Sequence, residues 1–311
     1  MQRVAAVDCG TNSIRLLIAD VDADAGTLVD VERTMEVVRL GQGVDRTGRL
    51  APEALERTLE VARRYGAACT AAGVTALRFV ATSATRDASN RDEFVAGVHD
   101  ALGVTPEVIP GAEEAALSFA GAVGELRGRH PAPYCVVDLG GGSTEVVLGT
   151  DGVSAALSVD IGCVRLTERH DLAGPGADWA AATADVEAAL EKVAGVVPLE
   201  SSRSLVGLAG SVTTITAHAL GLPSYQPERI HASVLPVADV RAAADSLIAM
   251  SRDERAALPY MHPGRVDVIG AGALIWRTLV ARVASEAGVD SVVTSERDIL
   301  DGIAWSLVPT S

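Results

Sequence analysis

Lysine is almost missing from this sequence. Of its 26 basic residues only Lys192 is a lysine, and the rest are arginines. No lysine follows a glycine, so a phosphate loop of the Gly-x-x-x-x-Gly-Lys-Ser/Thr kind is excluded. Schiff-base chemistry would fall to Lys192 alone, in a polar helical stretch where a solvated surface residue is expected. Aromatic residues are scarce at 3%, so the 48% of apolar residues must build a core chiefly from Ala, Val, Leu and Ile. The four cysteines, Cys9, Cys69, Cys135 and Cys163, form no Cys-x-x-Cys pair. A zinc ribbon and a disulfide scaffold are therefore not expected, and a reducing, cytoplasmic setting is. No run of 18 apolar residues occurs, and Val4–Asp8 is too short for a targeting segment, so no membrane span or leader is expected. Positive charge is in deficit: the formal net charge is −15. Nucleic acid and anionic membranes are unlikely partners for such a chain. A polyanionic substrate would need local arginines and a divalent cation to overcome the same repulsion.

The length of 311 residues accommodates two domains. Apolar segments at Val4–Val7 and Ile14–Asp20 read as strands around a turn at Cys9–Asn12, followed by an extended stretch over Thr27–Leu40. Pro52 opens a helix to about Ala72, with Gly73 as its stop. A strand at Leu77–Ala81, a helix from an Asn90 cap to about Leu102, a short strand at Val108–Ile109 and a helix over Gly111–Leu126 complete the first half. Arg127–Pro133 is polar and reads as a boundary. Strands at Tyr134–Asp138, Ser143–Gly149 and Val153–Asp160 follow, then helices near Trp179–Val196, Ser211–Leu220, Val237–Ala249 and Arg265–Ala287, with strands at Ser204–Leu208 and Val289–Val293. Alternating strands and helices imply an α/β protein.

The second half repeats the first. Val7-Asp8-Cys9-Gly10-Thr11-Asn12-Ser13 aligns without gaps on Val137-Asp138-Leu139-Gly140-Gly141-Gly142-Ser143, each between two apolar strands. One reading is a pair of plain β-hairpins whose Asp and Gly serve the turn. The other is a phosphate grip used twice. Glycines let backbone N–H groups approach a phosphate, Ser adds a hydroxyl, and a strand-end Asp can hold a divalent cation, often through water. Two copies in matching halves favour the second reading and a two-lobed protein with a central cleft.

Asp138–Glu145 (DLGGGSTE) resembles the signature of the exopolyphosphatase / guanosine pentaphosphate phosphohydrolase (Ppx/GppA) family. Asp8–Ser13 is similar to that family's first phosphate loop, Gly111–Ala115 (GAEEA) to its Glu-Glu-Ala motif, Ala81–Asn90 to its arginine-containing segment, and Asp160–Leu166 to its Gly-Cys-Val-Arg region. Gly207–Ser211 and Arg297–Gly302 also fit. The resemblance implies the duplicated actin-like (ribonuclease H-like, ASKHA) fold. The lobes would be 1–127 and 128–296, with a C-terminal helix over 297–311 returning to the first. It implies Glu114 as the catalytic carboxylate that positions or deprotonates water, and Glu145 as a second essential acid. Asp8 and Asp138 would hold Mg²⁺, with Mn²⁺ as the alternative. Gly10, Thr11, Asn12, Ser13, Gly140, Gly141, Gly142 and Ser143 would line the phosphates. Arg86, just after a strand, can bind phosphate oxygens bidentately or be a surface arginine. Read without the resemblance, Glu114 and Glu113 are acids complementing a helix dipole, and Glu145 is an outward-facing strand residue.

The implied substrate is inorganic polyphosphate, cleaved from its end, or pppGpp, cleaved at its 5′ phosphate. A second copy of the chain in a homodimer is the other admitted partner. An actin-like kinase would require ATP and an acceptor, and a non-catalytic polyphosphate or alarmone sensor would not need Glu114 and Glu145. His99-Asp100 and His170-Asp171 lack further ligands at metal spacing and are read as incidental.

Overall fold

The structure, a computed structural model, describes residues 1–308; residues 309–311 of the expected C-terminal segment lie outside the described residues. The chain divides into two compact units, Met1–Gly121 with the segment from Ile299, and Ala122–Asp298.

The first unit carries strands β1 (Gln2–Cys9), β2 (Ser13–Asp22), β3 (Thr27–Val37), β4 (Ala76–Ala81) and β5 (Glu107–Val108) in the order β3-β2-β1-β4-β5. Its helices are α1 (Val44–Thr47), α2 (Pro52–Ala71), α3 (Ser83–Asp87), α4 (Arg91–Leu102) and α5 (Gly111–Val123), the last running across the division. From Val4 to Cys9, β1 is apolar on both faces except at Asp8, as a central strand must be. Strand alternation sends Ala5, Val7 and Cys9 into a core with Tyr65, Phe79 and Phe94, while Val4 and Ala6 join a second core on the opposite face.

The second unit carries β6 (Tyr134–Leu139), β7 (Thr144–Gly149), β8 (Val153–Val159), β9 (Ser204–Leu208), β10 (Val234–Pro236) and β11 (Ser291–Thr294) in the order β10-β11-β9-β6-β7-β8. Its helices are α6 (Cys163–Arg169), α7 (Trp179–Ala194), α8 (Ala209–Ala219), α9 (Pro227–Ile230), α10 (Val237–Ala249), α11 (Arg252–Ala256) and α12 (Ile269–Ala287). In each unit the first strand pairs antiparallel with the second and parallel with the fourth: β1 with β2 and β4, β6 with β7 and β9. The sequence repeat is thus a repeat of topology, the duplicated actin-like α/β arrangement. The core of this unit centres on Trp276 of α12, fully buried against a glycine of β9: a Cβ on Gly207 would stand 2.6 Å from the indole.

Helix α13 (Ile299–Ser306) belongs with the first unit. Its Ile299, Leu300, Ile303 and Ala304 fill the core that Val4 and Ala6 line. Asp301, nearly buried, accepts 2.6 Å from Nη2 of Arg33 on β3.

Two local expectations need correction. Asn90 precedes α4 but does not cap it. Its amide takes Leu50 N–H at 2.8 Å and gives to Leu50 O at 3.2 Å, stitching a loop across 40 residues. Glu145 does not face outward; it is 1% exposed. Short helices such as α3, α6 and α11 carry too few apolar repeats to show in the sequence pattern. Lys192 is exposed in the last turn of α7 as expected.

Gly302 on α13 has no room for a side chain: an added Cβ would lie 2.0 Å from Leu117 O on α5. Overpacking of this kind costs about 1–3 kcal/mol, more where backbone must move. Gly302→Ala should therefore lower the Tm measured by calorimetry by several degrees; an unchanged Tm would refute the close approach.

Candidate active site

The two hairpin loops are built alike. In the first, Gly10 N–H reaches Ser13 O at 3.0 Å; in the second, Gly140 N–H reaches Ser143 O at 3.1 Å. In each unit the chain leaving the third strand returns to hold the loop's carbonyls. After β3, Gly41 N–H binds Thr11 O at 2.8 Å, and Val38 and Arg39 N–H bind Asn12 O at 3.1 and 2.8 Å. After β8, Cys163 N–H binds Gly140 O at 3.1 Å, Val164 and Arg165 N–H bind Gly141 O at 2.8 and 3.1 Å, and Arg165 Nε binds Gly142 O at 2.7 Å.

A trans peptide sets the C=O of one residue and the N–H of the next on opposite sides. Holding the carbonyls of Thr11 and Asn12 therefore turns the N–H groups of Asn12 and Ser13 the other way. Holding those of Gly140, Gly141 and Gly142 does the same for Gly141, Gly142 and Ser143. Each loop becomes a row of donors with one orientation, suited to an anion. The close approach demands glycine on the returning chain. A Cβ on Gly41 would stand 2.3 Å from Thr11 Cγ2, and one on Gly162 would stand 2.4 Å from the Gly141 carbonyl. Thr11 is fixed further by a 2.9 Å hydrogen bond between its hydroxyl and that of Ser83, the first residue of α3.

The strand-end aspartates have different partners. Asp8 faces Arg15 across β1 and β2, and Arg15 grips its Oδ2 with Nε at 3.0 Å and Nη2 at 2.6 Å. Asp138 faces Glu145 across β6 and β7. Arg15 and Glu145 are repeat equivalents, being two residues beyond the aligned serines. Glu145 in turn faces Ser158 on β8, whose hydroxyl donates to Oε1 at 2.6 Å. Both Asp138, at 7%, and Glu145, at 1%, are buried. Arg15, Ser158 and Ser83 were not anticipated, though carrying the offset past Ser13 would have flagged Arg15.

Glu114 sits in the first turn of α5, 8% exposed. Arg86, at the end of α3, donates through Nη1 to Glu114 Oε2 at 3.1 Å and to Ile109 O at 2.8 Å. Arg86 is thus tied to the carboxylate rather than left on the surface. Neighbouring Glu113 pairs with Arg78, which also holds Glu107, and is much more exposed. The expected residues therefore gather in one group per unit: Asp8, Gly10–Ser13, Arg86 and Glu114 in the first, Asp138, Gly140–Ser143 and Glu145 in the second.

Nearby thiols are not nucleophiles. Burial, aided by the charge of Asp8, pushes the Cys9 thiol well above its ordinary range, and burial raises that of Cys163. His170 is used in a pair with Asp185 at 2.9 Å. Among the described residues no three His, Cys, Asp or Glu side chains gather as a metal site. The buried Asp138–Glu145 pair nevertheless fits Mg²⁺, which takes one or two carboxylates and completes its shell with water and substrate phosphate. Asp8 fits less well, because the guanidinium of Arg15 occupies Oδ2.

Comparison with known proteins identifies the family. The sequence model of the Ppx/GppA phosphatase family matches residues 17–307. Exopolyphosphatase 2 of Mycobacterium tuberculosis is 52% identical over 99% of both chains. A solved exopolyphosphatase-like protein superimposes with a TM-score of 0.93 at 45% identity, covering 98% of this chain and 97% of that one. The Aquifex aeolicus PPX-GPPA enzyme gives 0.81 at 29% identity, covering 98% and 99%. On its loops, its buried acids and this match over nearly its whole length, the chain belongs to the Ppx/GppA phosphatase family.

Proposed function

We propose that this chain is a cytoplasmic, divalent-cation-dependent exopolyphosphatase that releases orthophosphate from the end of inorganic polyphosphate. The observation that carries the reading is the pair of loops whose N–H groups are turned to one side, together with a buried carboxylate, Glu114, held by Arg86. The 52% identity to a protein named exopolyphosphatase over essentially full length supports the substrate. Four buried cysteines suit a reducing compartment, and no helix among the described residues is long and apolar enough to cross a membrane.

Phosphoryl transfer to water needs positioning and charge stabilisation more than covalent chemistry. The oxygen of water forms a bond to the terminal phosphorus, and the bridging P–O bond on the far side breaks. The water's proton passes to Glu114, and the shortened chain departs as an oxyanion. Each unit offers its own donors for phosphate oxygens: the backbone N–H groups of Asn12 and Ser13 in the first, and those of Gly141, Gly142 and Ser143 in the second. They are preorganised because their carbonyls are already bonded, so little reorganisation is needed as charge develops. Arg86 aims the Glu114 carboxylate through its hydrogen bond to Oε2, acting through it. Asp138 and Glu145 would hold Mg²⁺, with Ser158 fixing one Glu145 oxygen; when bound, the ion neutralises phosphate charge. The same N–H groups would donate equally to the 5′ phosphates of pppGpp, and the ratio of kcat/KM for the two substrates decides between them.

Glu114→Gln keeps size and polarity but removes the base. Phosphate release from polyphosphate should fall by about 10²–10⁴ in kcat at unchanged Tm; activity near wild type would end the assignment. Arg86→Ala distinguishes two roles. If Arg86 aims Glu114, kcat falls by up to about a hundredfold with KM little changed; if it binds substrate phosphate, KM rises instead. Ser158→Ala should raise the Mg²⁺ concentration needed for half-maximal activity, read from a metal titration; an unchanged requirement would remove Glu145 from the metal site.

A further inference from the structure

Within the second unit lies a cavity of about 250 Å³ that the reaction does not use. It lies among the loop after α6, the C-terminus of α10 with the start of α11, and the residues just before α12. Its apolar lining includes Leu172, Trp179, Met250 and Val266, and its charged groups are Arg252, Arg255 and Asp267.

Arg255 is the unusual element. It is 6% exposed in a chain where most arginines lie at the surface. Its Nε donates to Leu247 O at 2.8 Å and its Nη2 to Ile248 O at 3.1 Å, so one side of the guanidinium caps the C-terminus of α10. Among the described residues no carboxylate pairs with it. Asp267 acts on it only through space, and its own Oδ1 is taken by Arg252 Nε at 2.8 Å. Burial pulls the Arg255 pKa down, with Asp267 opposing. A buried cation without a paired anion is costly, and such charges are ordinarily matched. Nη1 and the second N–H of Nη2 have no hydrogen-bond partner among the described residues, and a guanidinium of this kind can take a carboxylate bidentately.

The walls are preformed. Asp171 adopts a left-handed φ of 49°, takes Gly174 N–H on its carbonyl at 2.8 Å and Gly176 N–H on Oδ2 at 3.1 Å, and so fixes the loop after α6. Opposite, Ser251 and Glu254 form a reciprocal capping box at the start of α11. Trp179 and Arg255 converge over Gly270, where a Cβ would stand 3.0 Å from the indole and 2.7 Å from Nη2. A hollow with apolar and polar walls and one buried guanidinium can hold a small ligand in a fixed orientation.

We propose that this cavity binds a small organic carboxylate with an apolar body, the carboxylate on Arg255 and the body against Trp179 and Leu172. Its volume is below that of most drug-sized sites, which restricts the ligand to something near the size of phenylacetate. In a chain of net charge −15 this pocket is locally cationic, with two arginines against one aspartate.

The test uses phenylacetate as probe and 2-phenylethanol, which has the same body without charge, as control. Titration calorimetry and thermal shift on the full chain should show saturable phenylacetate binding and a rise in Tm, with the alcohol weaker by about tenfold or more. Ala177→Phe fills the cavity without touching Arg255 and should abolish binding while leaving phosphate release at the wild-type rate. If that variant does not fold, Ala173→Trp at the exposed rim serves in its place. No saturable binding at millimolar phenylacetate, equal binding of the alcohol, or undiminished binding in the filled variant would each overturn the proposal. Because phosphate release is read separately, failure here leaves the reading of the hydrolytic site intact.

Discussion

The donor rows depend on one constraint of the peptide bond. A loop can present several N–H groups to an anion only if its carbonyls are committed elsewhere, since each carbonyl otherwise competes for the same space. Here the chain leaving the third strand of each unit supplies that commitment, through residues 38, 39 and 41 in one and 163–165 in the other. Gly41 and Gly162 are part of the same device, because any side chain there would collide with the loop it must hold. The β-hairpin, the returning segment and the glycine form one cooperative unit. The polar side chains of Asp8, Arg15, Asp138 and Glu145 are positioned by sheet register rather than by the loops themselves.

Register also explains how one duplicated scaffold supports two local chemistries. The strand-end aspartate is common to both copies, but the residue facing it is Arg15 in one and Glu145 in the other. A carboxylate in a guanidinium fork is locally neutral and holds its shape. In the other copy two buried carboxylates face each other, so like charges stand where the first copy has opposite ones. A single change of residue type at one repeat position thus replaces an ion pair by a pair of carboxylates, in the same strand register.

Much of this was legible in the sequence. The constant offset between Val7–Ser13 and Val137–Ser143 is a statement about topology, and the two sheets repeat it strand for strand. The long helices showed through their apolar period. What did not show depends on contacts distant in sequence. Asn90 looks like a helix cap because Asn often is one, yet its amide finds Leu50 across 40 residues. Glu145 looks outward because its neighbours alternate, yet the strand is central and buried on both faces. Arg86 shows as a phosphate ligand by residue type, whereas its Nη1 is spent on Ile109 and Glu114. In each case a residue's chemistry was readable and its partner was not.

That use of arginine bears on how so acidic a chain can bind a polyanion. Several of its guanidiniums are committed to carboxylates inside the fold: Arg15 to Asp8, Arg86 to Glu114, Arg33 to Asp301, Arg78 to Glu107 and Glu113. They shape the site more than they attract ligand from afar. Attraction over distance would in any case fade within about 8 Å at physiological ionic strength. Backbone N–H groups carry no formal charge and act at contact. A site made of them is blind to the net charge of the protein and discriminates by the spacing of oxygens. For the substrate proposed above, recognition would then lie in short-range geometry at the loops, since the long-range field opposes every polyanion alike.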